Sequence, residues 1–335
     1  MRAALRAWYL ANQRKLPWRA APTLYKTVVS EFMLQQTQVA TVLPYFDRWL
    51  KQFPDFAALA AAAEATVLRA WEGLGYYRRA RLLHALAREL VNLSALPHTV
   101  DQWLTLPGVG PYTAAAITSI AYGAPAAVVD GNVVRVLARL LGDATVYRDG
   151  SAAVVALTPP AQTLLDPASP GDHNQAIMEL GATVCTRRAP LCTICPWVTW
   201  CIAAARGDAE ALPKLAAKKM QLITLRRLWI ERDGALLLHR KAAGARRLAG
   251  LCELPDAALL PSAKIEPKPL AVKRRTITHH HFTENIHRAT LSENAVDPAL
   301  DKTSGFIWAT PRQRARLTLS GPHRRWIEEL QARCE

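Results

Sequence analysis

The sequence predicts a mainly α N-terminal part followed by a smaller α+β domain. Three observations carry that division. Apolar residues recur at helical spacing through residues 1–205, Pro and Gly cluster between those runs, and beyond Cys201 the texture turns to short strand-like runs around a turn signal.

Taken in order, Leu5, Trp8, Tyr9 and Asn12 share one face of a first helix, and Val28, Phe32 and Gln35 one face of a second. Leu82, Leu83, Leu86 and Leu90 mark a third. Breaks are read at Pro17, Pro22, Pro44, Pro54, Gly73, Gly75, Pro97, Pro107 to Pro111, Gly123 and Pro125. The stretch GDAEALPKLAAKKMQ has few large apolar side chains and several lysines, so residues 206–221 read as a linker. Leu222–Glu231 and Ala235–Leu238 then read as strands, with Asp233-Gly234 as a hairpin turn between them. The expected organisation is a helical domain over 1–205, a linker over 206–221 and a second domain over 222–335.

With 335 residues, half of them hydrophobic, the chain has material for two cores. No apolar run approaches the roughly 18 residues of a membrane span, and the basic start MRAALRAWYLANQRK has no signal-peptide apolar region. A soluble, cytoplasmic, nucleoid-associated monomer of bacterial type is expected, with no membrane partner. The net charge of +15 points to a polyanion, nucleic acid first.

Four of the six cysteines, Cys185, Cys192, Cys195 and Cys201, have the spacing C-x6-C-x2-C-x5-C. Such clustering argues for metal ligation over a disulfide framework. Zinc ribbons usually carry two C-x2-C pairs and this loop has one, so spacing favours an iron–sulfur cluster without excluding zinc. Residues 105–116, TLPGVGPYTAAA, combine a helix stop at Pro107, flexible turns at Gly108 and Gly110 and an alanine-rich helix. Backbone N–H groups of such a turn and helix start can bind a phosphate without reading sequence.

L-P-G-V-G-P-Y-T-A, then V-D-G-N-V-x-R-V at 129–136, then the four-cysteine loop, resemble the endonuclease III superfamily of helix-hairpin-helix DNA glycosylases. Within it, L-P-W-R at 16–19, S-E-x-M-L-Q-Q-T-Q-V at 30–39 and G-L-G-Y-Y at 73–77 are similar to the MutY-type adenine glycosylases. The resemblance spans about residues 8 to 205. It implies a 4Fe–4S cluster on the four cysteines and, as substrate, double-stranded DNA holding adenine opposite 8-oxoguanine or guanine. Superfamily members that also cleave the strand carry a lysine just before the Thr-Ala of the hairpin. Here that residue is Tyr112, which cannot form a Schiff base, so a monofunctional glycosylase is expected. The alternatives are a lyase acting on damaged pyrimidines and a lesion binder without catalysis.

Release of adenine needs a proton donor for the base and an anion facing a sugar with oxocarbenium character. Glu31, among Val28, Val29, Phe32, Met33 and Leu34, suits the acid, because apolar surroundings raise a carboxyl pKa. Asp130 stands before Gly131-Asn132 and the helix Val133–Leu141, where a helix start favours negative charge. The resemblance implies that Glu31 protonates adenine at N7, that Asp130 stabilises the sugar cation, and that Tyr112 and Asn132 lie beside it. It further implies that Trp18, Arg19 and Glu179 shape the adenine pocket while Leu34, Gln36 and Tyr76 fill or wedge the base stack. Gly250-Leu251-Cys252-Glu253-Leu254-Pro255 resembles a stretch of the family's Nudix-like C-terminal domain, without a Glu-rich hydrolytic box. Where that domain reads 8-oxoguanine through a Phe-Ser-His loop, this chain has Phe282-Thr283-Glu284. Thr283 keeps a hydroxyl donor; Glu284 is expected to bring negative charge near phosphates, weakening discrimination or leaving it to His280 or His287.

Overall fold

The structure is a computed structural model that describes residues 1–217, 220–242, 244–245, 248–277, 279–291, 297, 299 and 303–332. The chain divides into two compact units, one formed by Met1–Ala62 and Leu82–Ala217, the other by Ala63–Arg81 and Lys218–Glu335.

The first unit is helical. Its helices are α1 (Arg2–Asn12), α2 (Leu24–Leu34), α3 (Val39–Gln52) and α4 (Phe56–Ala61). A further helix, α5 (Glu64–Ala70), belongs to the second unit, and α6 (Arg78–Leu90) begins there and continues in the first. After them come α7 (Val100–Leu104), α8 (Pro111–Tyr122), α9 (Gly131–Leu140), α10 (Gly150–Leu164), α11 (Pro170–Thr183) and α12 (Ile202–Arg206). Local chemistry sets several of these boundaries. The Thr23 hydroxyl accepts from the Lys26 N–H to start α2, and Thr99 with Gln102 forms a capping box on α7. Gly123, at φ 68°, closes α8 in the left-handed conformation that only glycine adopts without strain. Leu5 and Tyr9 of α1 bury beside Val133 and Leu137 of α9, Leu157 of α10 and Ile177 and Leu180 of α11.

Pro44 departs from the expected breaks. It lies inside α3, where one backbone hydrogen bond is lost while Val42, Phe46 and Trp49 bury the same face. The expected linker also differs. Ala209–Ala211 forms a 3-10 turn, and β2 (Lys214–Leu215) pairs in parallel with β1 (Val146–Tyr147), so residues up to 217 pack in the helical unit. Leu212, buried beside Ala203 and Ala209, is the apolar anchor behind that outcome. Lys218 and Lys219 lie outside the described residues. Residues 63–81, expected in the helical domain, group with the second unit. The Arg324 guanidinium pairs there with Glu72, and the Tyr77 hydroxyl donates to the Leu319 carbonyl at 3.2 Å.

In the second unit, β4 (Glu231–Arg232) and β5 (Ala235–Arg240) form the expected hairpin, with Asp233 at φ 51° and Gly234 at φ 71°. β5 also pairs with β6 (Cys252–Glu253) and β10 (Phe306–Ala309). The long β3 (Gln221–Trp229) does not join that hairpin. It runs parallel to β9 (His280–Thr290), whose other side meets β8 (Ala271–Ile277) and, near its end, β7 (Lys264–Ile265), both antiparallel. A short α13 (Pro311–Arg314) precedes α14 (Gly321–Gln331), which buries Trp326, Ile327 and Leu330 against Trp229, Leu236, Leu238 and Ile286. Among the described residues no helix is long and apolar enough to cross a membrane.

Candidate active site

A cavity of about 1510 Å³ opens in the helical unit. The segment before α2, α2 itself, the 108–113 turn, the start of α9 and one face of α11 all line it. Eleven of the sequence-predicted residues meet there: Trp18, Arg19, Glu31, Leu34, Gln36, Gly108, Gly110, Tyr112, Asp130, Asn132 and Glu179. Tyr76 and Thr283 belong to the other unit.

Glu31 lies on α2 and is 7% exposed. Its Oε2 is buried and has no hydrogen-bond partner among the described residues. Burial pushes the carboxyl up to about 7; the nearby Tyr112 hydroxyl opposes the rise and the Asp130 charge adds to it. Tyr112, whose O–H donates to the Met178 sulfur at 3.2 Å, is itself held well above its ordinary value by burial and by the two carboxylates. It therefore remains a neutral phenol.

Asp130 is differently placed. As the N-cap of α9, its Oδ1 accepts from the backbone N–H groups of Asn132 (2.9 Å) and Val133 (2.8 Å), and its Oδ2 from Asn132 Nδ2 (3.0 Å). Burial raises its carboxyl above the ordinary value, which runs against the sequence reading of a readily ionised group, while these three donors and Arg135 pull it down. Donors aimed at both oxygens, at a helix start, stabilise the anion. Glu31 has a bare oxygen instead. The two carboxyls thus share a cavity but differ in what receives their charge.

Arg135 extends the Asp130 arrangement. It donates to Asn132 Oδ1 at 2.9 Å, to the Gly181 carbonyl at 2.6 Å and to the Cys185 carbonyl at 2.7 Å. Gly181 is where α11 meets α9: an added Cβ would stand 2.7 Å from Asn132 Cβ and 3.1 Å from its carbonyl oxygen. Gly181→Ala is accordingly expected to displace the start of α9, costing about 1–3 kcal/mol of stability in denaturant melts and lowering the maximal rate with it. An unchanged melt and rate would show that the helices can part freely.

Glu179, 1% exposed, accepts from the Arg14 backbone N–H (3.0 Å) and Nε (2.6 Å) and from Arg19 Nη2 (3.0 Å). Burial would raise this carboxyl, but the Arg14 and Arg19 contacts outweigh it and hold it below its usual range. Arg14 was not singled out from the sequence. Its only signal there is that a buried Glu179 requires a cation, and Arg19 alone seemed to supply one. Trp18 packs edge-on against Phe46 with centroids 5.3 Å apart, and Gln36 is held at φ 55°. Gly108 has φ 75° and room for no side chain, since a Cβ would meet that of Leu82 at 2.7 Å; Gly110 is extended and caps α8.

The four cysteines Cys185, Cys192, Cys195 and Cys201 line one small apolar cavity, with Arg139 among its walls. Arg139 Nη1 donates to Cys185 Sγ at 3.3 Å, and Cys201 Sγ donates to the Arg139 carbonyl at 3.4 Å. Burial pushes the Cys195 thiol up to about 11; the Trp197 backbone N–H opposes this and the other three cysteines reinforce it. Four thiolates this close require a compensating cation. Yet among the described residues no three His, Cys, Asp or Glu side chains converge on the position of a single metal ion. Four sulfurs around a shared space too wide for one ion fit a multi-iron cluster better than zinc.

In the second unit the expectation for Glu284 is overturned. Residues 281–284 lie within β9, not in a loop, and the strand's alternation turns Glu284 inward at 0% exposed. There it pairs with Arg227 (2.7 Å) and Arg275 (2.6 Å), which, against the effect of burial, help hold its carboxyl down to about 2. It brings no charge to a phosphate. His287 is also buried, its Nδ1 2.8 Å from the Glu266 carbonyl oxygen, and Thr283 faces the opposite side. Tyr76 is 47% exposed at φ 47°, with the Arg79 guanidinium 5.4 Å from its ring.

Residues 29–150 match the family model described as "HhH-GPD superfamily base excision DNA repair protein". The chain is 39% identical to the adenine DNA glycosylase of Mus musculus over 85% of its own length and 67% of that protein. It is 46% identical to the Homo sapiens adenine DNA glycosylase, covering 63% of this chain but 40% of that protein. It is also 46% identical to the adenine DNA glycosylase of Mycolicibacterium smegmatis, covering 57% of this chain and 66% of that one. The chain therefore spans two thirds or less of these relatives. Among solved structures, a thermostable thymine-DNA glycosylase aligns with TM-score 0.53 and 28% identity over 61% of this chain and 95% of that one. An endonuclease III–DNA complex aligns with TM-score 0.52 and 20% identity, over 62% of this chain and 94% of that one, a likeness of fold.

Proposed function

The chain belongs to the adenine DNA glycosylase family, and on that premise we propose that it hydrolyses the N-glycosidic bond of adenine mispaired with 8-oxoguanine or guanine in duplex DNA. The observation that carries this reading is the pairing of Glu31 with Asp130 in one cavity, one carboxyl unpartnered and held near 7, the other ringed by donors. The scissile bond is buried in a duplex, so the adenosine must first leave the stack and enter the cavity. Glu31 in its neutral form gives its proton to the base as the bond to the sugar lengthens, making adenine a better leaving group. The Asp130 anion, fixed by Asn132 and the start of α9, stabilises the positive charge that develops on the sugar. Tyr112 lies between the two roles and stays protonated. The Arg14–Glu179–Arg19 cluster presents fixed polar edges to the base.

Among the described residues lining the cavity there is no lysine. That supports base release without strand cleavage, because a lyase needs an amine to form a Schiff base with the sugar. The test is to incubate the protein with duplexes holding A opposite 8-oxoguanine, A opposite G, or oxidised pyrimidines. Adenine release with strand breaks only after alkali is expected. Breaks without alkali, or release of oxidised pyrimidines instead, would overturn the reading.

Cys185, Cys192, Cys195 and Cys201 would hold a 4Fe–4S cluster, which supplies four-thiolate charge compensation and ties the loop after α11 to α9 through Arg139. The purified protein is expected to be brown, with about four irons per chain. Cys195→Ser should lose the colour. A colourless protein with one zinc per chain would count against the cluster.

A further inference from the structure

β3, β9 and β8 form three adjacent strands whose two faces differ sharply. On one face Arg227, Arg275 and Lys273 each have a carboxylate partner, and α14 packs over it. The other face is covered only toward the end of β3, where Leu228 and Ala289 pack with Leu260 and Ile265. Its leading half carries no described covering element. The register places Thr224 of β3 opposite Thr283 of β9, and Thr283 opposite Arg274 of β8. One row on, Arg226 stands opposite Asn285. Directly paired side chains on one face lie about 5 Å apart at Cβ, so the two arginines flank Thr283 from the outer strands.

Thr224, Arg226 and Arg274 are exposed, and Thr283 and Asn285 half-buried. No acidic residue alternates onto this half-face, and neither arginine forms an ion pair among the described residues. The surface therefore offers two unneutralised guanidiniums, hydroxyls and an amide, all able to donate. Leu222 and Val272 are its exposed apolar members, at separate edges, so it lacks the continuous apolar patch of a protein-docking face. A donor-rich basic surface on a chain of net charge +15 matches a ligand that only accepts: a row of phosphodiesters.

We propose that this bare half-sheet grips the phosphate backbone of duplex DNA, with Arg226 and Arg274 as the charged contacts and Thr224, Thr283 and Asn285 as neutral donors. The proposal rests on the reading that duplex DNA is the substrate. It assigns Thr283 a setting that the inward-facing Glu284 does not disturb.

The test compares wild type with Arg226→Gln/Arg274→Gln on a duplex holding A opposite G, measuring binding between about 50 and 200 mM salt and adenine release at saturating enzyme. Each lost phosphate contact should lower the slope of log affinity against log salt by about 0.9, so the double variant should lose about 1.8. Release at saturation should be unchanged, and Arg226→Lys/Arg274→Lys should restore the slope. Both side chains are exposed, so the melting temperature should not move. A wild-type slope in the Gln variant would overturn the proposal and leave the face to an acidic protein partner, even with adenine release intact. A reduced slope in a protein that releases no adenine would uphold the surface and sink the glycosylase reading. Failure of wild type to bind duplex DNA would sink both.

Discussion

Glu31→Gln is expected to lower the maximal rate of adenine release by about 10²- to 10⁴-fold while mispair binding persists, because an amide fills the same space and has no proton to give. The argument starts from burial. Glu31 lies in apolar packing with one oxygen unpartnered, so its folded form binds a proton more tightly than the unfolded chain does, with the carboxyl near 7. The rate limb should follow directly: release should fall as pH rises through about 7, about tenfold per further pH unit, as the neutral acid is depleted. Stability should show the same proton. Between the ordinary carboxyl value of 4.5 and about 7 the folded state holds a proton that the unfolded state has lost, so stability falls as pH rises through that window. Above it, keeping Glu31 ionised in place costs about 3 kcal/mol. Glu31→Gln removes that penalty, so it should be more stable than wild type at pH 8 and little different at pH 4. Normal turnover in this variant, or a rate with no limb near 7, would refute the acid role.

Much of this was readable in the chain because the decisive residues sit in local contexts that physics makes explicit. Asp130 precedes Gly131-Asn132 and a run of helix formers, and a carboxylate there caps the helix whatever else it does. Glu31 is a single charge in an apolar helix, which either buries with a purpose or does not belong. The four cysteines declare themselves by spacing. What escaped was tertiary. Arg14 meets Glu179 across 165 positions, and nothing local to Arg14 announces it. The grouping of 63–81 with the second unit depends on Glu72 and Tyr77 meeting Arg324 and Leu319, again invisible to periodicity. Glu284 is the instructive miss. Phe282, Glu284 and Ile286 alternate with Thr283 and Asn285, and that parity puts the acid among inward residues. Matching it to a loop position hid the alternation, and with it the partners Arg227 and Arg275.

Asp130→Asn should separate charge from architecture at the other end of the reaction. Asparagine caps a helix about as well as aspartate, so α9 should start at the same residue and stability should change little. Its amide oxygen can still accept from the Val133 N–H, which Asp130 Oδ1 now does at 2.8 Å. What disappears is the negative charge facing the sugar, and part of its support, since an amide nitrogen would now confront the Asn132 Nδ2 donor that lies 3.0 Å from Oδ2. A transition state with positive sugar character should lose several kcal/mol of stabilisation, about 10²- to 10⁴-fold in rate. Asp130→Ala adds the loss of the cap, about 1 kcal/mol of stability, with no further loss of rate beyond that of the charge. Equal rates for wild type and Asp130→Asn, with folding intact, would mean that no cation forms beside this carboxyl. The cavity would then be a place where an extruded base is held but not cut, and the chain a lesion binder.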